Sequence, residues 1–427
     1  MMKTINFLVI IFLFPKLLMG KDILTGIINE GIQNNISIKN QKVSLEKAKI
    51  TVSTNKKAYL PTVALASGLS YSNSEGTGSL TKSASLSTSW NIWDHWSGLT
   101  TIETSKISLK NEEINTDKAI QEYILKVLDS FLGLQLLKNK KIITQESLNS
   151  AKSNYEKAKQ LVKIGAKTKM DSYTPEISLL NAKRDLLEIN NKIRMAETSF
   201  KFLINPNKET EIPPVDFLNY QPYFQKTFEE KWDNIQKDWA KLVVKSNPSI
   251  RVTSNQMESS KKQLAQQKLN NWPKVEVTAS HTWDLVKQLE GESAQSLSAA
   301  VNLSWTVFDW GVSKSAIKSS VYDLQTSELN FKKQIFETKN KVLSLFQEYK
   351  ILAETIKASK LILEKAKAQQ DYSVQMYSLG KITSFQLKTS NADLFKARDS
   401  LATRLKEKFL LMGKILFTFG EDLRPKG

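Results

Sequence analysis

Cysteine is absent from this sequence of 427 residues, and histidine occurs only twice. Without cysteine, the chain has no disulfide bond, no zinc-thiolate site, no cysteine nucleophile and no lipid attached to an N-terminal cysteine. The two histidines, His95 and His281, have no partner at the spacing of a metal site or a catalytic triad. Phosphate-binding glycine loops and the His-Glu-x-x-His motif are missing as well. We therefore predict that this protein is not an enzyme and has no cofactor or metal site.

Long apolar runs are missing after the N-terminus. The run from Ile5 to Phe14 follows Lys3 and reaches only about half of the ~20 residues that a membrane-spanning helix needs. Gly20 follows soon after and offers the small residue that a signal peptidase requires. We interpret residues 1–20 as a secretory signal peptide, whose cleavage position the sequence does not define.

Acidic residues are fewer than basic residues in this chain. Lysine and arginine outnumber aspartate and glutamate by 61 to 43, which gives a net charge of +18. Such an excess can indicate nucleic-acid binding. Here the lysines stand beside glutamates along helical stretches such as residues 364–367, and no recognition module surrounds them. We interpret them as solvated helix faces and predict no nucleic-acid partner; a basic coiled coil that binds nucleic acid is the less favoured alternative.

The chain repeats itself at an offset of roughly 215 residues. Each copy has the pattern of a strand pair followed by two very long helices. Such a unit cannot bury its apolar surfaces alone, so we expect the function to reside in an assembled, pseudo-symmetric architecture. Equivalent residues of the two copies are Trp93 and Phe308, Phe131 and Phe346, Gly165 and Gly380, Thr168 and Thr383, and Leu186 and Leu401.

The strand pairs are predicted at about residues 62–93 and 274–308, where apolar residues alternate with small or polar ones. Strands with one apolar face and aromatic residues at their ends are typical of lipid-facing β-barrels, although a soluble β-sandwich shows the same alternation. Four strands are too few to enclose a water-filled channel, so several chains must contribute to one barrel. The residues that we predict to face lipid are Leu86, Trp90, Val301, Leu303 and Trp305.

Long helices are predicted at about residues 97–203 and 311–417. Apolar residues recur in them in the four-three rhythm of a coiled coil, as at Ile120, Ile124, Val127, Phe131 and Leu134. Each tract is interrupted by a glycine turn, at Gly165 and at Gly380. Glycine allows a left-handed backbone there, and the threonine that follows can cap the returning helix.

Two shorter helical stretches, at about residues 22–57 and 228–270, precede the strand pairs. A proline-rich segment separates the copies and is the one obvious boundary. The predicted organisation is a signal peptide at 1–20, a first repeat at 21–204, a proline-rich connector at 205–227, a second repeat at 228–420 and a short tail at 421–427.

The order and duplication of these motifs resemble the TolC family of outer-membrane efflux and type I secretion ducts. The resemblance covers essentially the whole chain after the signal peptide. The matching motifs are Leu60-Pro61 and Trp272-Pro273 before the strands, Trp93-Asp94 and Phe308-Asp309 after them, and Tyr377, Gly380 and Thr383 in the second turn, with Gly165 and Thr168 in the first.

This resemblance implies a mainly α-helical protein with a membrane β-barrel part. It implies a homotrimer that shares a barrel of twelve strands and an α-helical tunnel, located in the outer membrane and extending into the periplasm. The implied function is a passive exit duct for small toxic molecules or an unfolded polypeptide, with a periplasmic adaptor protein, an inner-membrane pump and outer-membrane lipid as partners. A non-transporting periplasmic coiled-coil scaffold with a soluble β-domain is the alternative.

The same resemblance makes the turns between the long helices candidates for gate and adaptor contacts. Family members place acidic residues near the second turn, where this chain has Gln386 and Thr389, whereas Asp171 remains in the first copy. An acidic, cation-binding gate is therefore not expected from the second repeat. The candidate residues are Gly165, Thr168, Asp171, Tyr377, Gly380, Lys381, Thr383 and Gln386.

Overall fold

The computed structural model describes residues 20–74, 77–205, 220–284, 295–379 and 381–425. Nearly all of the predicted signal peptide, the segment 206–219 of the predicted connector and the predicted turn residue Gly380 lie outside the described residues. Helices make up most of the described chain, and its strands form a single sheet.

Both repeats contain the same elements in the same order. The first has α1 (Gly20–Asn34), α2 (Ile36–Lys57), β1 (Thr62–Ser74), β2 (Thr77–Trp93), α3 (Ser97–Lys163) and α4 (Met170–Ile204). The second has α5 (Gln225–Ser246), α6 (Pro248–Leu269), β3 (Lys274–Asp284), β4 (Gln295–Ser304), α7 (Val312–Ser378) and α8 (Ser384–Thr418). The long helices α3 and α7 both have 67 residues, and α4 and α8 both have 35, which confirms the tandem repeat.

Each shorter helical stretch is divided in two by an asparagine. The side-chain oxygens of Asn35 and Asn247 accept hydrogen bonds from the backbone N–H groups two and three residues further on, at 2.9–3.3 Å. This is the geometry of a helix N-cap, and Pro248 follows Asn247 at the first helical position. The helical stretches predicted at about 22–57 and 228–270 thus each consist of two helices, the second of which begins after the asparagine.

The sheet is an antiparallel meander with the strand order β1-β2-β3-β4. Its register aligns Leu65, Leu86, His281 and Leu297 in one row across all four strands. Because side chains alternate along a strand, the remaining rows divide into two faces. The apolar face consists of Val63, Leu65, Leu69, Leu86, Trp90, Val277, Val301 and Leu303 with their neighbours in register. The hydroxyl face consists of Ser85, Ser87, Ser89, Thr278, Ser280 and Ser298 with theirs.

The apolar face is uncovered in the single chain. Leu65 is 75% exposed, Val301 72% and Leu303 70%. Leaving a face of this size in water is unfavourable at roughly 25 cal/mol for each Å² of apolar surface. This face therefore requires an apolar surrounding that the chain itself does not provide.

The strand β4 ends at Ser304, four residues before the predicted end of the second strand pair at 308. The indole Nε1 of Trp305 donates to the carbonyl oxygen of Asn271 at 2.9 Å instead of continuing the sheet. The residues that follow form the turn into α7. Trp305, predicted on the barrel strand, thus lies just beyond it.

Two compact units are formed, each from segments of both repeats. The first unit contains residues up to Lys39, Ala119–Val243 and the chain from Asn340 onward. Its core includes a chain of aromatic rings, with the centroids of Phe131 and Tyr220 6.4 Å apart. The predicted tail is anchored in this unit, because Leu423 N donates to Gln121 Oε1 at 2.7 Å.

The second unit contains Asn40–Lys118 and Val244–Lys339, and therefore the whole sheet. Its helices are joined by polar contacts as well as by buried apolar side chains. Asn255 Nδ2 donates to Asn111 Oδ1 at 2.7 Å, and Lys262 Nζ donates to Glu103 Oε2 at 2.8 Å. The hydrogen bond from Lys262 lowers the pKa of the Glu103 carboxyl.

Candidate functional site

The first tip is the turn between α3 and α4. The helix α3 ends in a Schellman motif, in which Ala166 N donates to Leu161 O at 2.9 Å and Gly165 N to Val162 O at 3.1 Å. Gly165 has a φ of 75°, and a Cβ placed there would meet no atom within 4 Å. The requirement for glycine is therefore conformational and does not arise from crowding.

Asp171 closes the first tip from the side of α4. Its Oδ2 accepts hydrogen bonds from Thr168 N at 2.9 Å and from Thr168 Oγ1 at 2.8 Å. The bond from the backbone N–H, followed by that from the hydroxyl, lowers the pKa of Asp171. The prediction that Thr168 caps the returning helix is wrong, because its hydroxyl donates to Asp171 and no side chain caps α4.

The second tip is the turn between α7 and α8. Lys381 N donates to Met376 O at 2.9 Å, the same closure that Ala166 makes in the first tip. Thr383 caps α8 in a capping box, since its Oγ1 accepts from Gln386 N at 3.3 Å and Gln386 Oε1 accepts from Thr383 N at 2.9 Å. Here the predicted capping threonine is present.

Asp171 and Gln386 occupy equivalent positions of the two repeats and perform the same local task. Each side-chain oxygen accepts the backbone N–H of the threonine three residues before it. The exchange of acid for amide keeps this hydrogen bond and removes one negative charge. Both residues were predicted as gate candidates from the sequence, and their hydrogen bonds show that both also stabilise a turn.

Large apolar side chains are exposed on both tips. Ile164 is 73% exposed in the first turn, and Phe385 is 74% exposed in the second. Met170 and Leu379 are exposed as well, and Tyr377 lies on the last turn of α7 at the border between exposed and half-buried. The tips therefore present side chains suited to contact with another molecule.

Two aspartates cap the long helices where the strands end, a function that the sequence analysis missed. Asp94 Oδ2 accepts from Gly98 N, and Asp309 Oδ2 accepts from Ser313 N, each at 2.7 Å. A carboxylate is favourable at a helix N-terminus because it faces the positive end of the helix dipole. The sequence signal for these caps was an aspartate at the end of the strand region in both copies, four residues before the residue whose N–H it accepts. The intervening residues with positive φ are His95, Trp96, Trp310 and Gly311.

Two tryptophans occupy equivalent positions at the ends of the strands. Trp90 Nε1 donates to Tyr59 O at 3.2 Å, as Trp305 Nε1 does to Asn271 O. In both repeats the polar edge of the ring is bonded to the backbone while the ring remains exposed. Such a ring is suited to the boundary between lipid and water. Of the other residues predicted to face lipid, Leu86, Val301 and Leu303 lie on the apolar face with Trp90.

Three helices have exposed apolar residues at intervals of seven, the period of a coiled-coil seam. In the described chain no helix covers these seam residues. Side chains at this period are suited to packing against further helices. The seam residues are Ile36, Val43 and Ile50 on α2, Tyr173, Leu180 and Leu187 on α4, and Tyr322, Leu329, Phe336 and Leu343 on α7.

His95 lies in the turn that follows β2, and His281 lies on the apolar face beside Trp283. Within the described ranges, no group of three or more histidine, aspartate or glutamate side chains is arranged to hold a metal ion. The helices that the structure describes include none whose length and hydropathy suit a membrane span.

A family model described as outer membrane efflux protein matches residues 27–205 and 239–407, most of the chain. The outer membrane protein VceC from Vibrio cholerae has a similar structure, with a TM-score of 0.74 at 13% identity over 94% of this chain and 96% of that one. The CmeC outer membrane channel of Campylobacter jejuni gives 0.75 at 13% identity, with coverage of 95% and 87%.

The open state of the MtrE outer membrane channel of Neisseria gonorrhoeae gives a TM-score of 0.75 at 14% identity, with coverage of 95% of this chain and 90% of that one. No curated protein matches the sequence. At such low identity the structural likeness shows the fold alone. It extends over nearly the whole length of each chain and confirms the predicted architecture of long helices with a barrel part.

Proposed function

This chain belongs to the outer membrane efflux protein family, and from that membership we propose that three copies form the exit duct of a tripartite efflux or type I secretion system. The duct is passive and offers a water-filled path for small molecules or polypeptides. An inner-membrane pump supplies the energy, and a periplasmic adaptor protein connects the pump to the duct.

The two-faced sheet is the observation that carries this proposal. Its apolar face is uncovered, and its order leaves β1 and β4 at open edges. Edge strands expose unpaired backbone groups, and closing a barrel removes them. Four strands cannot close around a channel, whereas three copies contribute twelve. The apolar face then meets lipid, as we propose for Leu86, Trp90, Val301 and Leu303.

The hydroxyl face is suited to the interior of such a barrel. Ser280 Oγ and Ser298 Oγ lie 2.8 Å apart across β3 and β4, and Thr62 Oγ1 and Ser89 Oγ lie 2.9 Å apart across β1 and β2. Short hydroxyl side chains leave the interior of the barrel open. They accept hydrogen bonds from water and donate hydrogen bonds to it. A lumen lined in this way favours passage without a binding site for one specific cargo.

The seam residues support assembly into a closed ring. The seams on α2 and α4 belong to the first repeat, and that on α7 belongs to the second. Two different surfaces of one chain can pack against each other in neighbouring copies, and such a heterologous contact closes into a ring when the rotation fits. Three copies satisfy both this requirement and the strand number of the barrel.

The tips are proposed as the gate and the adaptor contact. Hydrogen bonds within each turn fix the backbone between its two helices, so we expect each hairpin to move as one body. The proposed residues are Gly165, Thr168, Asp171, Tyr377, Gly380, Lys381, Thr383 and Gln386.

The assembly is tested by placing charges on the seam. In the variant Leu329→Glu with Phe336→Glu, two exposed apolar seam residues become anionic, and we expect the trimer to dissociate. The control, Thr326→Glu with Asn340→Glu, adds the same charge at exposed polar positions of the same helix. Native mass spectrometry in detergent and planar-bilayer conductance are the measurements. A parent protein that is a monodisperse monomer without detergent would contradict the duct and favour the periplasmic scaffold.

A further inference from the structure

We propose that the tips form an anion-selecting entrance, so that the duct conducts negatively charged solutes in preference to cations. This inference rests on the proposed function, because only an assembled duct brings the tips of several chains around one passage. It adds to that function a substrate class defined by charge.

The tips hold a large excess of positive charge. Residues 157–175 and 372–390, which surround the two turns, contain seven lysines and a single carboxylate, that of Asp171. We call these side chains the tip lysines. The tip lysines are Lys157, Lys159, Lys163, Lys167, Lys169, Lys381 and Lys388.

The nearest carboxylates in sequence outside these segments, those of Glu156, Glu176 and Asp371, form no ion pair with the tip lysines in the described ranges. All of the tip lysines except the half-buried Lys388 are exposed, and in the described part of the chain none forms an ion pair. Some lysines elsewhere on the long helices do form ion pairs: Lys138 pairs with Glu197 at 3.2 Å, and Lys406 with Asp129 at 2.6 Å. The positive charge of the tip lysines is therefore exposed and is not neutralised by ion pairs within the described chain.

The single carboxylate offsets little of this charge. Asp171 accepts both hydrogen bonds of Thr168 within its own turn, and the equivalent residue in the second tip is the neutral Gln386. Each chain thus retains six net positive charges in these two segments. An acidic ring that would attract cations is reduced to one turn-bound group per chain.

The physical consequence follows from the repetition of the chain around a passage. Rings of lysine or arginine in a pore favour anions, as rings of aspartate or glutamate favour cations. A narrow entrance with walls of low dielectric constant strengthens the field of such a ring and raises the local concentration of counter-ions. Solutes with negative charge are therefore enriched at the tips, whether they are small molecules or acidic segments of a polypeptide.

Ion selectivity tests this inference directly. The full-length protein is reconstituted in planar bilayers under a gradient of potassium chloride, and the reversal potential gives the permeability ratio of chloride to potassium. We expect a ratio above one for the parent. In the variant Lys163→Gln, Lys167→Gln, Lys169→Gln and Lys381→Gln, the ratio should fall to one or below.

The matched control removes four exposed lysines outside the tips, by Lys126→Gln, Lys332→Gln, Lys341→Gln and Lys350→Gln. It changes the net charge equally and should keep the ratio of the parent. Inorganic triphosphate, added to each side in turn, should block the parent from one side and the tip variant only weakly. The single variants Lys167→Gln and Lys381→Gln, each expected to lower the ratio by a smaller step, serve if the fourfold variant does not insert.

Different failures have different meanings. A conducting parent that prefers potassium, or a tip variant with the selectivity of the parent, overturns the anion-selecting entrance and leaves the duct intact. A parent that neither assembles nor conducts overturns the proposed function and this inference together.

Discussion

At the scale of single residues, one exchange between the repeats alters charge without altering geometry. Asp171 and Gln386 accept the N–H of Thr168 and Thr383 at the same distance, 2.9 Å. Only Asp171 can gain a proton. The hydrogen bonds from Thr168 lower its pKa, so the carboxylate form is favoured in the folded protein.

We expect the first tip to loosen in acid while the second does not. Because the pKa of Asp171 is lowered on folding, its stabilising contribution is complete above the usual aspartate pKa and is lost as the pH falls through the lowered pKa. Hydrogen exchange of peptides covering each turn, corrected for the intrinsic rate, measures this difference. The variant Asp171→Gln copies the second tip and should abolish it; equal acid sensitivity of both tips would contradict the assignment.

The apolar face provides a second test on single residues. Replacing Leu303 by Arg should cost about 2–4 kcal/mol of unfolding free energy in lipid if this side chain lies near the middle of the bilayer. The control Ala300→Arg places the same group on the hydroxyl face of the same strand, where water can solvate it. Denaturant unfolding in lipid vesicles measures both. Similar losses for the two variants would show that the face does not meet lipid.

At the scale of elements, long periodic patterns were predictable and the positions of breaks were not. The alternation of β2 continues to Ile92, one residue before the structure ends the strand at Trp93. The same alternation continues through Trp305 and Val307, yet β4 ends at Ser304. In the described sheet β4 pairs only with β3, whose first residue, Lys274, lies opposite Ser304. The strand β2 continues to Trp93 because it pairs with β3 beyond its last partner on β1.

Helix starts depend on single capping residues and are hard to recognise inside an amphipathic stretch. Asn247 followed by Pro248 is a cap signal that the surrounding helical pattern obscured. Asn35 has no proline after it, and only the hydrogen bonds of its side chain reveal the break. In both places local hydrogen bonding outweighs propensity.

Movement of the hairpins gives a prediction at the same scale. Ala166 and Lys381 hold equivalent positions in the two turns, and the natural chain has no cysteine to interfere. Joining Ala166→Cys to Lys381→Cys with a thiol-specific crosslinker should hold conductance low, because hairpins that cannot separate cannot widen a passage. Single-cysteine variants treated alike are the control. Crosslinked channels that conduct like the parent would place the gate elsewhere.

At the scale of the whole molecule, the duplication made the fold predictable. The offset of roughly 215 residues between motifs such as Gly165 and Gly380 predicted the order of the strand pairs and the long helices in both copies. The candidate site was predictable only as a set of residues. Which side of a tip faces a passage depends on neighbouring copies, and no pattern within one chain specifies it. The capping of helices by Asp94 and Asp309, and the turn-closing bonds of Asp171 and Gln386, became visible only through their hydrogen bonds.

In the proposed trimer, we expect the two kinds of tip to determine how many copies of a docking protein bind. A ring of three chains presents six turns, all with the same backbone closure, but only three of them contain a carboxylate. A docking protein that recognises the closure and the threonine finds six similar places, whereas one that recognises Asp171 finds three. Native mass spectrometry of the assembled complex counts the bound copies. If the parent assembly binds three copies and the Asp171→Gln assembly binds six, Asp171 prevents the docking protein from binding to the first tip.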